Sequence, residues 1–258
     1  MAPSVLTIAG SDSSGGAGLQ ADLKVFHRCG CYGMSVVTLV TAQNTRAVRR
    51  IDCLPAEAVR AQIAAVWEDL PPAAVKTGAL GEPAIMRAVA EELAARRGPP
   101  LVVDPVLVSK HGQALASADA AACLRSLLLP LATIVTPNLH ELQALSGLAI
   151  DSAAAAQRAG ARLRELGAAA VLVKGVPGSP FALDLLLDAD GVLELPAPRL
   201  ATGAGHGSGC SYAAAIAAQL ARGRPLRTAV VYAKAYVTAA LASALPRGGG
   251  HAPLDHWA

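Results

Sequence analysis

Short runs of β-branched and other apolar residues alternate along the chain with longer segments whose composition and apolar spacing favour helices. The strand-like runs are Ser4–Ala9, Met34–Val40, Ala73–Thr77, Leu101–Val106, Thr133–Thr136, Ala170–Lys174 and Leu183–Leu187. The helical segments are Gly18–Cys29, Ala56–Leu70, Pro83–Arg97, Ser117–Leu129, Leu139–Ser146, Ser152–Leu166, Gly209–Ala221 and Pro225–Leu245. This alternation predicts an α/β fold with a mostly parallel central sheet and helices on both faces.

No segment of the 258 residues has the composition of a linker, and no motif recurs at a fixed period. The economical interpretation is a single domain spanning residues 1–258. In open sheets of this kind, ligands bind outside the carboxyl ends of the strands. The residues that follow each strand are therefore the candidates for a functional site.

Composition narrows the classes of function. Hydrophobic residues make up 53% of the chain, and 22 basic against 19 acidic residues give a net charge of +3 without a basic block, so a nucleic-acid partner is not expected. The first residues lack a secretory signal pattern, which predicts a cytoplasmic protein. The apolar stretch 228–245 contains Lys234 and many alanines, so we expect a buried helix there and no membrane span.

A run of small residues, GHGSGC at 205–210, leads straight into an alanine-rich segment. Such a run leaves the first N–H groups of a helix unobstructed, and with the helix dipole these donors predict a site for an anion such as a phosphoryl group in transit. Cys210 falls in the first turn, where we expect the helix terminus to lower the pKa of its thiol. The alternative is a structural loop beside a buried cysteine. The other four cysteines show no disulfide or zinc spacing.

Another glycine-rich segment, GSDSSGGAG at 10–18, lies near the N-terminus and follows the first predicted strand. It lacks the Lys and Ser/Thr of a Walker loop, and the next strand ends without the carboxylate of a dinucleotide site. What remains is a loop of exposed amides and hydroxyls beside Asp22, with Gln43 at the end of the next strand. Because an amide side chain both donates and accepts, this set favours the edge of a polar heterocycle. The alternatives are a solvated carboxylate for Asp22 and a loop-stabilising amide for Gln43.

Polar side chains also follow three later strands: Asp104, Asn138 with Glu141, and Lys174. Carboxylate and amide oxygens suit Mg²⁺, which keeps much of its water and bridges phosphates, and a lysine suits nucleotide phosphate charge. Taken alone, Asn138 is also typical of a helix cap and Glu141 of its capping-box partner.

In this order the segments resemble the ribokinase-like superfamily, and within it the hydroxymethylpyrimidine/phosphomethylpyrimidine kinases of thiamin biosynthesis. The resemblance runs nearly end to end and is carried by AGSDSSGGAG at 9–18, QADLK at 20–24, YGMS at 32–35, AQNT at 42–45, KTG at 76–78, TPN at 136–138 with Glu141, and HGSGC at 206–210.

The resemblance implies a single ribokinase-like domain that uses ATP and Mg²⁺ to phosphorylate 4-amino-5-hydroxymethyl-2-methylpyrimidine to the monophosphate and then to the diphosphate. Carried over by position, Gly10, Asp22, Val40 and Gln43 line the pyrimidine site. The residues of the anion hole are then Gly207, Ser208 and Gly209, with Cys210 as the catalytic base. Asn138 and Lys174 are assigned to ATP binding, and Asp104 and Glu141 to metal binding. A homodimer is the family-level expectation.

One departure bears on the substrate. Ala79 stands where the family commonly has a methionine, which removes a side chain expected to pack on the substrate ring. A pyridoxal or pyridoxine kinase is therefore the alternative among enzymes, since those substrates are also heteroaromatic rings with a hydroxymethyl group. From another class, a non-catalytic pyrimidine-binding module would keep the pocket but has no physical reason to keep an anion hole beside Cys210.

Overall fold

The computed structural model describes residues 1–96, 98–108, 112, 115 and 119–258. Its strands are β1 Ser4–Asp12, β2 Tyr32–Gln43, β3 Val48–Cys53, β4 Ala74–Thr77, β5 Leu101–Val103, β6 Ile134–Val135, β7 Val171–Val173, β8 Asp184–Asp188, β9 Gly191–Leu195, β10 Ala204–His206 and β11 Ala252–Pro253. Its α-helices are α1 Gly18–Arg28, α2 Ala56–Asp69, α3 Pro83–Ala95, α4 Ala120–Cys123, α5 Leu139–Ser146, α6 Ala153–Glu165, α7 Ser208–Ala221 and α8 Leu226–Ala242.

The central sheet has the strand order β3-β2-β1-β4-β5-β6-β7-β8-β9. The strands from β2 to β7 in this order pair in parallel, whereas β3, β8 and β9 pair antiparallel at the two edges. The prediction of a mostly parallel α/β sheet is confirmed. Because the parallel strands all point the same way, their carboxyl ends share one edge of the sheet.

Two hydrophobic cores cover the faces of the sheet. Successive strand residues alternate between them, so that Ala74 belongs to one core and Val75 to the other. The core with Val75 includes buried residues of α2, α3, α5 and α6, and the core with Ala74 includes those of α1, α7 and α8. Helices on both faces are therefore confirmed. No helix in the described part of the chain combines the length and apolar character that crossing a bilayer requires.

The structure departs from the predicted elements mainly at the periphery. The edge strands β3 and β9 were not predicted because most of their residues are exposed or only partly buried and lack a buried apolar pattern. The predicted strand Leu101–Val106 ends at Val103, since Pro105 cannot donate to the sheet.

Two predicted helices reach residues outside the described part of the chain. Arg97, the predicted end of one, lies there, and so do residues 117 and 118 at the predicted start of Ser117–Leu129. After α4 the second of these helices continues as a π-turn over Leu124–Leu128 and a 3-10 turn over Leu129–Leu131.

Candidate active site

The carboxyl ends of the parallel strands open into a cleft of about 820 Å³. It brings together most of the residues that the sequence analysis singled out: Gly10, Gln43, Ala79, Asp104, Asn138, Glu141, Lys174, Gly207, Ser208, Gly209 and Cys210. These residues come from six strand ends and one helix start, and the shared direction of the strands is what collects them.

Two predicted substrate contacts do not line this cleft. The side chain of Val40 is 45% exposed, because it points away from the face of β2 on which Leu39 and Thr41 reach the cleft. Asp22 is fully buried, and its Oδ2 accepts hydrogen bonds from Thr7 Oγ1 at 2.6 Å and Lys76 Nζ at 2.8 Å. Asp22 is therefore a buried counter-charge, and the expectation that these two side chains line the site is corrected.

Lys76 is a cleft residue to which the sequence analysis assigned no role. Burial alone would lower the pKa of this fully buried amine, but the charge of Asp22, with a smaller contribution from Asp104, holds it well above its ordinary value. Lys76 is therefore a charged amine in the floor of the cleft, paired with the buried carboxylate of Asp22. A lysine inside an otherwise apolar strand is the sequence signal that points to it.

The first glycine loop, residues 13–17, has its amides occupied. The carboxylate of Asp12 accepts from the N–H of Ser14 at 2.8 Å, of Gly16 at 3.1 Å and of Ala17 at 2.8 Å. The predicted row of exposed amides is thus wrong, because a carboxylate within the same segment satisfies it. Asp12, which the sequence analysis did not single out, organises this loop.

Asp12 also contacts β10. Its Oδ2 lies 2.8 Å from Nε2 of His206, and both side chains are buried. Burial alone would raise the pKa of Asp12, but hydrogen bonds from His206, Gln43 and Ser14 together hold it well below its ordinary value. The carboxylate is therefore charged at neutral pH.

The second glycine loop, residues 205–209, keeps its amides open. Gly207 is the N-cap of α7, has a φ of 80° and contributes no side-chain cap. The first backbone bond of the helix runs from Ser211 N–H to Gly207 O at 2.9 Å, so the N–H groups of Ser208, Gly209 and Cys210 precede the helical bonding pattern. The local structure thus has the donor geometry of an anion site.

Glycine is required at this N-cap. A Cβ on Gly207 would lie 1.9 Å from the carbonyl oxygen of Gly16, and L-residues rarely adopt its φ. The two glycine loops therefore touch backbone to backbone.

The expected low pKa of Cys210 is wrong. Burial raises the pKa of this thiol to about 12; Lys76 and the N–H of Gly18 favour the thiolate but are outweighed by burial and by the charges of Asp104 and Asp22. The local rule for cysteines at helix N-termini fails here because burial and nearby carboxylates dominate. In the free protein Cys210 is a neutral thiol.

Two carboxylates, those of Asp104 and Glu141, line the cleft together with Lys174. Lys174 Nζ donates to Asp104 Oδ1 at 3.2 Å, which also accepts from Thr136 Oγ1 at 3.2 Å. A Cβ on Gly209 would lie 3.3 Å from Lys174 Nζ and 4.0 Å from Asp104 Oδ2. Lys174 and Asp104 therefore lie directly against the open amides of α7.

Asn138 and Glu141 form a capping box at the start of α5. Asn138 Oδ1 accepts from Glu141 N–H, and Glu141 Oε2 accepts from Asn138 N–H, both at 2.9 Å. Burial raises the pKa of Glu141 to about 7, although Lys174 opposes this shift. The capping alternative is what the structure shows, and the same two side chains also line the cleft.

A brace behind Lys174 was not predicted. Asp184 Oδ1 accepts from the N–H of Gly175 at 2.8 Å, and Asp184 Oδ2 accepts from Lys234 Nζ at 2.7 Å. This chain of contacts ties the segment after β7 to helix α8. Apolar side chains next to it, including Leu200, Val237 and Leu241, complete this end of the cleft.

The chain is similar to known kinases in both sequence and structure. The chain matches the protein family described as phosphomethylpyrimidine kinase over residues 12–255. A hydroxymethylpyrimidine/phosphomethylpyrimidine kinase of Rhizobium meliloti is 50% identical over 258 residues, covering 98% of this chain and 96% of the relative. One from Streptomyces coelicolor is 48% identical over 257 residues, covering 99% and 95%. The structure of Staphylococcus aureus pyridoxal kinase in complex with AMP-PCP and pyridoxal has a TM-score of 0.90 at 33% identity, covering 100% of this chain and 94% of that one.

Proposed function

This chain belongs to the phosphomethylpyrimidine kinase family, and from that premise we propose how its cleft works as an ATP-dependent kinase. The substrates are 4-amino-5-hydroxymethyl-2-methylpyrimidine and then its monophosphate, and the product is the diphosphate used in thiamin biosynthesis. The observation that carries the assignment of roles is the uncapped start of α7, which contains Cys210, lies next to Lys174 and faces the cleft.

Phosphoryl transfer needs positioning and charge neutralisation more than covalent help. The substrate hydroxyl oxygen forms a bond to the γ-phosphorus, the bond from that phosphorus to ADP breaks, and the hydroxyl proton leaves. The amides of Gly207, Ser208 and Gly209 form the anion hole for the oxygens of the group in transit. Lys174, beside that hole, neutralises phosphate charge, and the neutral amide of Asn138 contacts the nucleotide.

Cys210 is proposed as the base for the first transfer. It is a neutral thiol in the free protein, so it has to ionise before it can take the hydroxyl proton. Buried Lys76 is the nearby cation that favours the ionised form. The second transfer differs, because a phosphate monoester is already largely ionised near neutral pH and needs no base.

The pyrimidine is proposed to lie between the carboxyl end of β1 and the segment that follows β4. A Cβ on Gly10 would lie 2.6 Å from Leu39 Cδ1 and 3.6 Å from Ala79 Cβ, so this wall is apolar and close-packed. Gln43 lines the same region and supplies an amide that donates and accepts. This combination suits a flat ring with polar edges.

Mg²⁺ is proposed at Asp104 and Glu141. The described residues contain no group of three or more His, Cys, Asp or Glu side chains that could hold a metal. Two cleft carboxylates nevertheless fit Mg²⁺, which is usually bound by one or two carboxylates plus substrate phosphates and water. Once bound, the ion would neutralise charge on the ATP phosphates.

Residues 1–258 are proposed to act as one kinase domain in the cytoplasm and as a homodimer. Of these proposals, the homodimer rests on the family resemblance. Light scattering on the purified chain tests the last of them, since a single monomer mass would contradict it.

A pyridoxal kinase is the second candidate, because the Staphylococcus aureus structure with pyridoxal is so similar and because Ala79 leaves more room than a methionine would. A mass-resolved product assay with Mg-ATP and each substrate separates the candidates. The monophosphate and then the diphosphate of the pyrimidine are expected. Phosphorylation of pyridoxal alone would overturn the substrate assignment, and no transfer to either would favour a binding module.

A further inference from the structure

The two glycine loops are joined by one side-chain pair. His206, the last residue of β10, places Nε2 2.8 Å from Oδ2 of Asp12, the last residue of β1. The side chains are only 4% and 3% exposed. Asp12 at the same time holds the amides of the first glycine loop, so a single carboxylate contacts both loops.

The backbone around this pair is packed without spare room. A Cβ on Gly16 would lie 2.5 Å from His206 Cδ2, so the imidazole lies directly on the first glycine loop. Strand β11 covers the contact from outside, because Pro253 pairs with His206 and lies 3.0 Å from the same Gly16 position. This packing leaves the two loops one position relative to each other. A change in the contact between His206 and Asp12 therefore shifts one loop relative to the other.

We propose that His206 and Asp12 form a positioning latch that fixes the anion hole relative to the substrate side of the cleft. His206 directly precedes Gly207, the first residue of that hole, so a shift of the imidazole moves the amides that follow. The latch rests on the proposed kinase function and concerns how that function is assembled. Neither side chain is assigned to the reacting atoms.

Breaking the contact between His206 and Asp12 is expected to lower the rate of phosphoryl transfer and to leave the binding of ATP nearly unchanged. Misplacing reacting groups by about 1 Å costs on the order of 100-fold in rate. ATP is proposed to be held by Asn138 and Lys174, whose own hydrogen-bond partners are Glu141 and Asp104.

The test uses a matched pair of substitutions in the full-length chain. The amide nitrogen of Gln reaches about as far as Nε2 of His, whereas that of Asn stops short of it. We expect H206N to lower kcat for the first transfer by roughly 30- to 100-fold with KM for ATP changed by no more than about twofold. H206Q restores kcat to within about fivefold of the parent. The exposed His27, changed to Asn, is the control for the exchange itself and leaves kcat unchanged.

Two outcomes overturn the proposal: an H206N enzyme as fast as the parent, or equal losses in H206N and H206Q, which would mean that ring packing on Gly16 matters and the donor does not. Amide hydrogen exchange on the same proteins is independent of catalysis. Faster exchange at Ser14, Gly16 and Ala17 is expected in H206N alone, together with Ser211, whose N–H donates to Gly207 O. If the parent transfers no phosphate but this exchange pattern appears, the kinase assignment fails and the latch stands; unchanged exchange overturns the latch.

Discussion

The two glycine loops of the cleft are both rich in small residues but differ in whether their backbone N–H groups already have an acceptor. Each follows a strand, is rich in small residues and leads into a helix, α1 in one case and α7 in the other. In the first glycine loop three amides donate to Asp12, whereas in the second the amides of Ser208 and Gly209 precede the bonding pattern of α7 and have no side-chain cap.

The difference teaches that a glycine-rich run exposes backbone donors but does not reserve them for a ligand. A carboxylate one residue before the first glycine loop satisfies its amides, and the second has no acidic residue in the first turn of its helix. The second loop is therefore the one suited to an anion. Each prediction below breaks or sharpens this contrast.

The largest effect is expected from obstructing the second glycine loop. In G209A the new methyl group lies 3.3 Å from Lys174 Nζ and intrudes where the phosphoryl oxygens are proposed to bind. Loss of one such donor site costs about 100- to 1,000-fold in kcat, and both transfers should suffer. Steady-state kinetics measure this. G203A is the control, because a Cβ there meets nothing within 4 Å; equal activity of G209A and the parent would contradict the assignment.

The second prediction concerns the thiol at the end of the open loop. Because the pKa of Cys210 is about 12, its ionised fraction rises with pH, and the first-transfer kcat should rise about tenfold per pH unit between about pH 7 and 9. The second transfer should stay flat there, since its acceptor ionises near pH 6.

Pre-steady-state kinetics on the parent, C210A and the control C123A separate the two steps. C210A should lose the pH-dependent rise in the first transfer and keep most of the second. Equal loss of both transfers, or a first transfer that ignores pH in the parent, would remove Cys210 from the role of base.

A smaller effect is expected from opening the first glycine loop. D12N replaces an acceptor oxygen by a donor that faces the loop amides and His206, and should lower the free energy of unfolding by about 1–3 kcal/mol at pH 7. The pKa of Asp12 is lowered by folding, so its stabilisation is present above the ordinary pKa of 3.8 and lost as the pH falls below it.

Urea unfolding at pH 7 and near pH 3 tests both statements. The difference between D12N and the parent should shrink at the lower pH. The surface variant D52N, whose carboxylate is 53% exposed in its pair with Arg50, should stay within about 0.5 kcal/mol of the parent. A D12N protein as stable as D52N would mean that the loop does not depend on this carboxylate.

The smallest effect belongs to Ala79, on the substrate side. A methionine there would fill space beside Gly10 and should lower KM for the pyrimidine by about two- to tenfold, with kcat nearly unchanged, since one to two buried methylenes contribute about 1 kcal/mol each. The ratio of kcat/KM for the pyrimidine and pyridoxal reports the change. An unchanged ratio in A79M would place the ring elsewhere.

The centre of the fold was predictable because buried parallel strands have continuous β-branched and apolar runs, as in β1, β5 and β7. The edge strands β3 and β9 were not, since exposed residues such as Arg49 and Arg50 leave no hydrophobic pattern. Strands β10 and β11 are three and two residues long and pair across almost fifty residues, which no local signal encodes.

The membership of the site was predictable where it depends on strand direction, because residues at parallel strand ends must converge. The partners within the site were not. The pair of Asp22 and Lys76 spans 54 residues, and the pKa of Cys210 depends on burial and on Asp104, which are properties of the folded chain. Local sequence patterns therefore identified most of the residues that line the cleft but gave the wrong direction for the pKa of Cys210.

The contrast between the two loops is tested most directly by amide chemical shifts in the ¹⁵N-labelled protein, recorded as the pyrimidine, Mg²⁺, ADP and aluminium fluoride assemble a mimic of the transferring phosphoryl group. The account predicts large shifts for Gly207, Ser208, Gly209 and Cys210, and small ones for Ser14 and Gly16, which stay bonded to Asp12. Large shifts confined to the first glycine loop would contradict it.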